Sequence, residues 1–166
     1  WLHARFDSYV SSDAARPGGD GNTFVDANGN YLPNATAATP GAVPAYNLKG
    51  FQLSQAPNYV INLGAEYVIE APFGDITLRG ESTWSDRVYL NSFNRKEVSQ
   101  APYSLQNASI VFSSNDKKWQ LTAFIRNIAN KTIKASGQVA TPFVGAPIIG
   151  FLQPPRTFGG ALTFNF

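Results

Sequence analysis

Wherever the hydrophobic pattern is strong it repeats every second residue, and no stretch carries a convincing helical period. Residues 57–70 alternate cleanly: Tyr59, Ile61, Leu63, Ala65, Tyr67 and Ile69 share one face. Asn58, Asn62, Gly64, Glu66 and Glu70 take the other, with Val60 and Val68 as apolar exceptions. Over 75–90, Ile76, Leu78, Gly80, Ser82 and Trp84 oppose Thr77, Arg79, Glu81, Thr83, Ser85 and Arg87. Residues 118–127 set Trp119, Leu121, Ala123 and Ile125 against Gln120, Thr122 and Arg126. At 156–166, Phe158, Gly160, Leu162, Phe164 and Phe166 alternate with small or polar residues. Weaker alternation predicts strands over 1–10 and over 103–113, the latter with a bulge near Asn107. The reading is an all-β chain of about six antiparallel strands.

The connections fall into two kinds. Ala71-Pro72-Phe73-Gly74 and Ser114-Asn115-Asp116-Lys117 read as tight hairpin turns. The segments 11–56, 91–102 and 128–155 are long, and long loops are uncommon in a compact soluble domain. In up-and-down order the long loops gather at one end of the sheet and the tight turns at the other. That asymmetry belongs to outer-membrane barrels. Lipid offers no hydrogen bonds, so a spanning sheet must close on itself and turn apolar side chains outward. Tyr59, Tyr67, Trp84, Trp119, Phe158, Phe164 and Phe166 sit near predicted strand ends, where interfacial aromatic girdles form.

Composition supports this picture. Charged residues are 14% of the 166, aromatics 13%, and apolar types 43%; soluble domains average about 25% charged. Cys is absent, which excludes disulfides, thiol chemistry and Cys-based metal sites. A net charge of +2 is too small to point to nucleic acid. The chain opens within an alternating pattern and ends on an aromatic, so it reads as a piece of a longer protein, with no signal peptide in view.

Several stretches resemble, in order, the C-terminal part of TonB-dependent outer-membrane receptors. They are 55–67 (Gln55-Ala56-Pro57-Asn58-Tyr59, then Asn62-Leu63-Gly64-Ala65-Glu66-Tyr67), Gly74-Asp75-Ile76-Thr77-Leu78-Arg79-Gly80, Ala101-Pro102-Tyr103 through Ala108, Trp119 through Lys131, and Pro155-Arg156-Thr157-Phe158-Gly159 through Phe166. Residues 1–54 match only in general shape. The resemblance implies residues 1–166 of a barrel of about 22 strands, with the N-terminal plug domain absent here. It implies localisation in the outer membrane of a Gram-negative bacterium and uptake of a scarce ligand: a siderophore, cobalamin or an oligosaccharide. It further implies three partners: outer-membrane lipid, TonB through the missing N-terminal part, and the barrel-assembly machinery through the C-terminal strand.

Catalytic constellations are poor. His3 is the only histidine, and a metal or acid–base site needs several converging groups. Glu66, Glu70, Arg79, Glu81 and Arg87 read as cross-strand ion pairs lining a wet lumen. Gly18 through Asn22 and Asp26 through Asn30 lack calcium-loop spacing and read as turns. Asn28-Gly29 predicts a small hairpin between Phe24-Val25 and Tyr31-Leu32. No catalytic residue, metal site or cofactor is assigned, and the chain reads as a non-enzyme. Ligand contact is expected from the aromatic and polar loop residues Tyr31, Tyr46, Phe51, Phe93, Asn94 and Arg95. Two other readings share the alternation: a small closed outer-membrane barrel of about eight strands serving as an adhesin or structural protein, and a soluble carbohydrate-binding β-sandwich.

Overall fold

The computed structural model describes residues 2–13, 15–16, 18–140, 144–145 and 147–165. Among these, every named element is a β-strand: β1 (Val10–Ser11), β2 (Thr23–Val25), β3 (Val43–Asn47), β4 (Val60–Ala71), β5 (Gly74–Ser85), β6 (Val88–Tyr89), β7 (Ser99–Gln100), β8 (Tyr103–Ser114), β9 (Trp119–Arg126), β10 (Lys134–Val139), β11 (Ile148–Leu152) and β12 (Thr157–Phe164). The chain divides into two units. One holds Trp1–Asn58, Arg87–Ala101 and Lys134–Phe151, and the other Tyr59–Asp86, Pro102–Ile133 and Leu152–Phe166.

The second unit is an antiparallel sheet in the order β12-β9-β8-β5-β4. Its register follows from the alternation. Directly paired residues share a face, so the pairings Tyr67↔Leu78↔Ile110↔Ala123↔Gly160 and Ile69↔Ile76↔Phe112↔Leu121↔Leu162 run across the sheet as apolar rows. The adjacent row Ala65↔Gly80↔Ala108↔Ile125↔Phe158 is small at one side and bulky at the other. On the opposite face lie Asn62, Glu66, Arg79, Glu81, Asn107, Ser109, Thr122 and Gln120. A one-residue slip would exchange the two faces, so the pattern locks the register.

The apolar face stays bare. Leu63 and Tyr67 are each 68% exposed, Leu162 65% and Phe158 79%. Of the described apolar residues in this unit only Ile133 is buried. A soluble sandwich buries such a face against a second sheet; within this unit no second sheet does so among the described residues. The open sheet is not a closed barrel by itself, since β4 and β12 are its two edges.

The turn geometry is also legible. Ala71 pairs with Gly74, leaving Pro72-Phe73 as a two-residue loop. Gly74 has φ +143°, and a Cβ there would stand 2.3 Å from the Ser113 carbonyl oxygen, so only glycine fits. Near Asn107, where a bulge is predicted, β5 and β8 pair without interruption through Glu81↔Asn107, whereas the β9 pairing stops at Ala108↔Ile125 and Ile128 N–H donates to the Gln106 carbonyl one residue out of register. On its other side Asn107 ends the ladder, its Oδ1 accepting the Asn127 N–H at 3.0 Å. Asn127 and Asn130 adopt positive φ of 51° and 52°, a conformation asparagine tolerates better than most residues. Asn127 Oδ1 accepts from Lys131 N–H, its Nδ2 donates to the Lys131 and Pro154 carbonyls, and Asn130 Oδ1 accepts from Arg156 N–H. These two side chains tie the exit of β9 to the entry of β12.

The segment expected as the first of six strands differs. Among the described residues of 1–10, pairing is confined to the isolated bridge Arg5↔Gln52 and the start of β1, where Val10 pairs with Asn47. Further backbone bonds, Leu53 N–H to Ala4, Gly50 N–H to Phe6 and Leu48 N–H to Tyr9, hold it against 47–53 in an irregular ribbon. The barrel-type sheet therefore has five strands among the described residues. The long connections are not structureless either. In the first unit β1-β3-β2 form a small sheet, β6 pairs with β7 and β10 with β11. Phe24, Val25, Ala45, Leu48 and Val98 are buried there, giving these loops a core of their own.

Candidate functional site

The first unit brings most of the predicted ligand-contact residues together. A cavity of about 180 Å³ is lined by Asp13, Arg16, Tyr46, Phe51, Phe93 and Arg95. Tyr46 is carried by β3, Phe51 by the ribbon beyond it, and Phe93 and Arg95 by the connection between β6 and β7. The Tyr46 and Phe93 rings meet edge to face, with centroids 5.7 Å apart, the geometry aromatic quadrupoles favour. The Arg95 guanidinium lies 6.0 Å from the Phe93 centroid, at the limit of a cation–π contact.

Asn94 does not line the cavity but sets its geometry. Its φ is 47°. Its Oδ1 accepts the Gln52 N–H and its Nδ2 donates to the Gln52 carbonyl, both at 2.8 Å. This two-point clamp fixes Phe93 and Arg95 on either side of it. Arg95 in turn pairs with Asp13, and both side chains are more than nine-tenths buried. Arg16 lies 3.9 Å from Glu97, and its carbonyl accepts from the Tyr46 hydroxyl at 3.4 Å. Tyr31 stands apart, half exposed in the small hairpin, where it bridges to Val25. Sequence reasoning missed Asp13 and Arg16, since nothing local distinguishes them from other loop charges.

Two turns flank this region. Asp20 accepts from the N–H groups of Asn22, Thr23 and Asn47 and from the Thr23 hydroxyl. Asp26 accepts from Asn28 N–H, Asn30 N–H and Asn30 Nδ2. It closes the predicted Asn28-Gly29 hairpin, where Leu32 N–H reaches the Phe24 carbonyl. These carboxylates act as turn organisers. Burial raises the Asp20 pKa, but hydrogen bonds from Asn47, Asn22 and Thr23 outweigh it and leave the carboxyl below its ordinary value. A depressed native pKa contributes stability above the unfolded value, about 3.9, and loses it as pH falls through the native one. Protection of the Asn22, Thr23 and Asn47 amides is therefore expected to hold above about pH 4 and to fail on further acidification. Amide exchange corrected for intrinsic rates checks this, and Asp20→Ala is expected to abolish the protection throughout.

Of the aromatics expected near strand ends, Tyr67, Trp84, Trp119, Phe158 and Phe164 lie on the five-stranded sheet. Trp119 pairs with Phe164, their ring centroids 4.4 Å apart, at the tight-turn end. Trp84 and Phe158 lie toward the opposite end, and Tyr59 immediately precedes β4. Tyr67 lies nearer the middle, and Phe166 lies outside the described residues. The ion pairs differ from expectation. Glu66 stands opposite Arg79 in register, yet Arg79 pairs with Glu81 of its own strand at 2.6 Å. Two residues apart on one strand share a face, which puts Glu81 within reach of the long Arg79 side chain. Arg87 lies in the other unit and donates to Ser99 Oγ.

Comparison with solved structures is decisive for the fold. BauA, the ferric preacinetobactin receptor from Acinetobacter baumannii, superposes with a TM-score of 0.58 over 71% of this chain at 23% identity. FyuA, the ferric yersiniabactin uptake receptor from Yersinia pestis, gives 0.61 over 82% at 14% identity. The fold is that of a TonB-dependent receptor barrel fragment. The chain spans 16% and 19% of the length of these two receptors. No protein-family model matches the chain, and no curated protein matches it.

Proposed function

We propose that residues 1–166 are the C-terminal barrel portion of a TonB-dependent receptor in the outer membrane of a Gram-negative bacterium. It takes up a scarce ligand of the siderophore, cobalamin or oligosaccharide kind, as a transporter and not an enzyme. The bare apolar face of the five-stranded sheet carries this reading: it is stable against lipid and hazardous in water. The likeness to two ferric-siderophore receptors supports the transport role. Lipid is the partner of the apolar face, the assembly machinery of the β12 end, and TonB acts through the N-terminal part. Tyr46, Phe51, Phe93, Asn94 and Arg95 are the ligand-contacting or ligand-positioning residues in this reading; Tyr31 is a more distant loop contact.

Cysteine labelling in a cysteine-free background tests it, since residues 1–166 contribute no Cys of their own. Lys96 in a long connection and Asn115 in a tight turn are both exposed. In the full-length receptor, Lys96→Cys is expected to react with an impermeant maleimide on intact cells, and Asn115→Cys only after the membrane is opened. Recovery of the protein in the soluble fraction, or the reverse labelling order, would sink the proposal.

A further inference from the structure

The cavity bounded by Asp13, Arg16, Tyr46, Phe51, Phe93 and Arg95 has a chemistry that loop composition alone does not reveal. Arginines beside aromatic rings in a receptor loop invite an anionic ligand. Here Arg95 is already paired with Asp13 in a buried contact, and Arg16 faces Glu97 at 3.9 Å. The buried charges cancel, Arg95 against Asp13, while Arg16 is more than half exposed and shares its charge with Glu97, which lies outside the cavity lining. An anion entering the cavity would meet the buried Asp13 carboxylate as well as the arginine. It would have to displace that carboxylate, leaving it buried without its partner, which is costly. The volume of about 180 Å³ is below the range of about 300–1,000 Å³ typical for whole drug-sized ligands. It suits one ring-sized group.

From this geometry we infer that the cavity is a subsite for one uncharged, hydroxyl-bearing ring of the pyranose type, presented by a larger ligand. The inference deepens the uptake reading above and rests on it for the identity of the protein as a receptor. Tyr46, Phe51 and Phe93 offer apolar ring surface to the C–H faces of such a group. The buried Asp13–Arg95 pair offers acceptor and donor side by side, which suits hydroxyls that both give and take hydrogen bonds. The Asn94–Gln52 clamp holds Phe93 and Arg95 in place before any ligand arrives, which lowers the ordering cost of binding.

Saturation-transfer NMR on the full-length receptor in micelles tests this with two probes, methyl β-D-glucopyranoside and sodium benzoate. The glucoside is expected to show transfer and benzoate none. Phe93→Ala is expected to weaken the glucoside at least fivefold. Phe93→Leu keeps the apolar bulk that supports the loop but removes the flat ring, and the same loss is expected. Benzoate binding that depends on Phe93 overturns the inference. So does the absence of glucoside binding, or glucoside binding indifferent to both Phe93 variants. Heat-modifiable migration of the same samples reports the barrel separately. A heat-modifiable receptor that ignores the glucoside refutes the subsite and leaves the receptor reading standing. A protein that binds the glucoside without migrating as a barrel does the opposite.

Discussion

Leu78→Arg is expected to destabilise the folded barrel by about 2–4 kcal/mol, the cost of a cation near the bilayer midplane on a lipid-facing strand. Leu78 is the fifth residue of the twelve in β5, flanked on its face by Tyr67 and Ile110. An arginine there finds no carboxylate in its own row and only the Tyr67 hydroxyl as a polar side-chain group. Leu121 sits on the same face but only two residues from Trp119, whose ring packs on Phe164 at the turn end. From there an arginine can extend toward the headgroups, so Leu121→Arg is expected to cost less. Thr77→Arg, one residue along β5 on the polar face, is expected to change stability little. Urea unfolding of the full-length receptor in lipid, followed by heat-modifiable migration, checks the order Leu78 > Leu121 > Thr77. Equal costs for Leu78→Arg and Thr77→Arg would remove the lipid-facing assignment.

The same residues show why the sheet was legible in the sequence. β4, β5, β9 and β12 have one more polar and one apolar face, so side-chain alternation encodes their register directly. The loop elements were not legible because their burial does not alternate: Thr23, Phe24 and Val25 of β2 are all buried. The ribbon at 2–11 alternates in sequence, yet its partner is the irregular segment 47–53, which no periodicity announces. Motif residues in the receptor-like stretches proved to be fold determinants. Asn127 and Asn130 close the β9–β12 connection. Gly159 makes room for the Phe124 ring across the strand pair, where a Cβ would come within 2.9 Å. Of the site, the aromatics were legible by type and loop position. Asp13 was not, because its pairing with Arg95 spans 82 residues and only the folded loop unit creates it.

That long-range pair governs the second large effect. Asp13→Ala is expected to destabilise the loop unit by about 3–5 kcal/mol, the cost of leaving one member of a buried ion pair without its partner. The Asp13 and Arg95 side chains are 9% and 8% exposed, so water cannot readily replace the lost carboxylate. Arg95 would then have to leave the cavity, carrying its segment with it and straining the Asn94–Gln52 clamp. Amide exchange is expected to quicken around 48–53 and 91–98 while β4, β5 and β8 stay protected. Asp13→Leu with Arg95→Met removes both charges and is expected to recover most of the stability, since an apolar pair of similar bulk can match a buried ion pair. Equal exchange in the single and double variants would mean that Asp13 acts by its own contacts, not by neutralising Arg95. The comparison therefore tests the charge cancellation on which the cavity's preference for an uncharged ring depends, without adding any ligand.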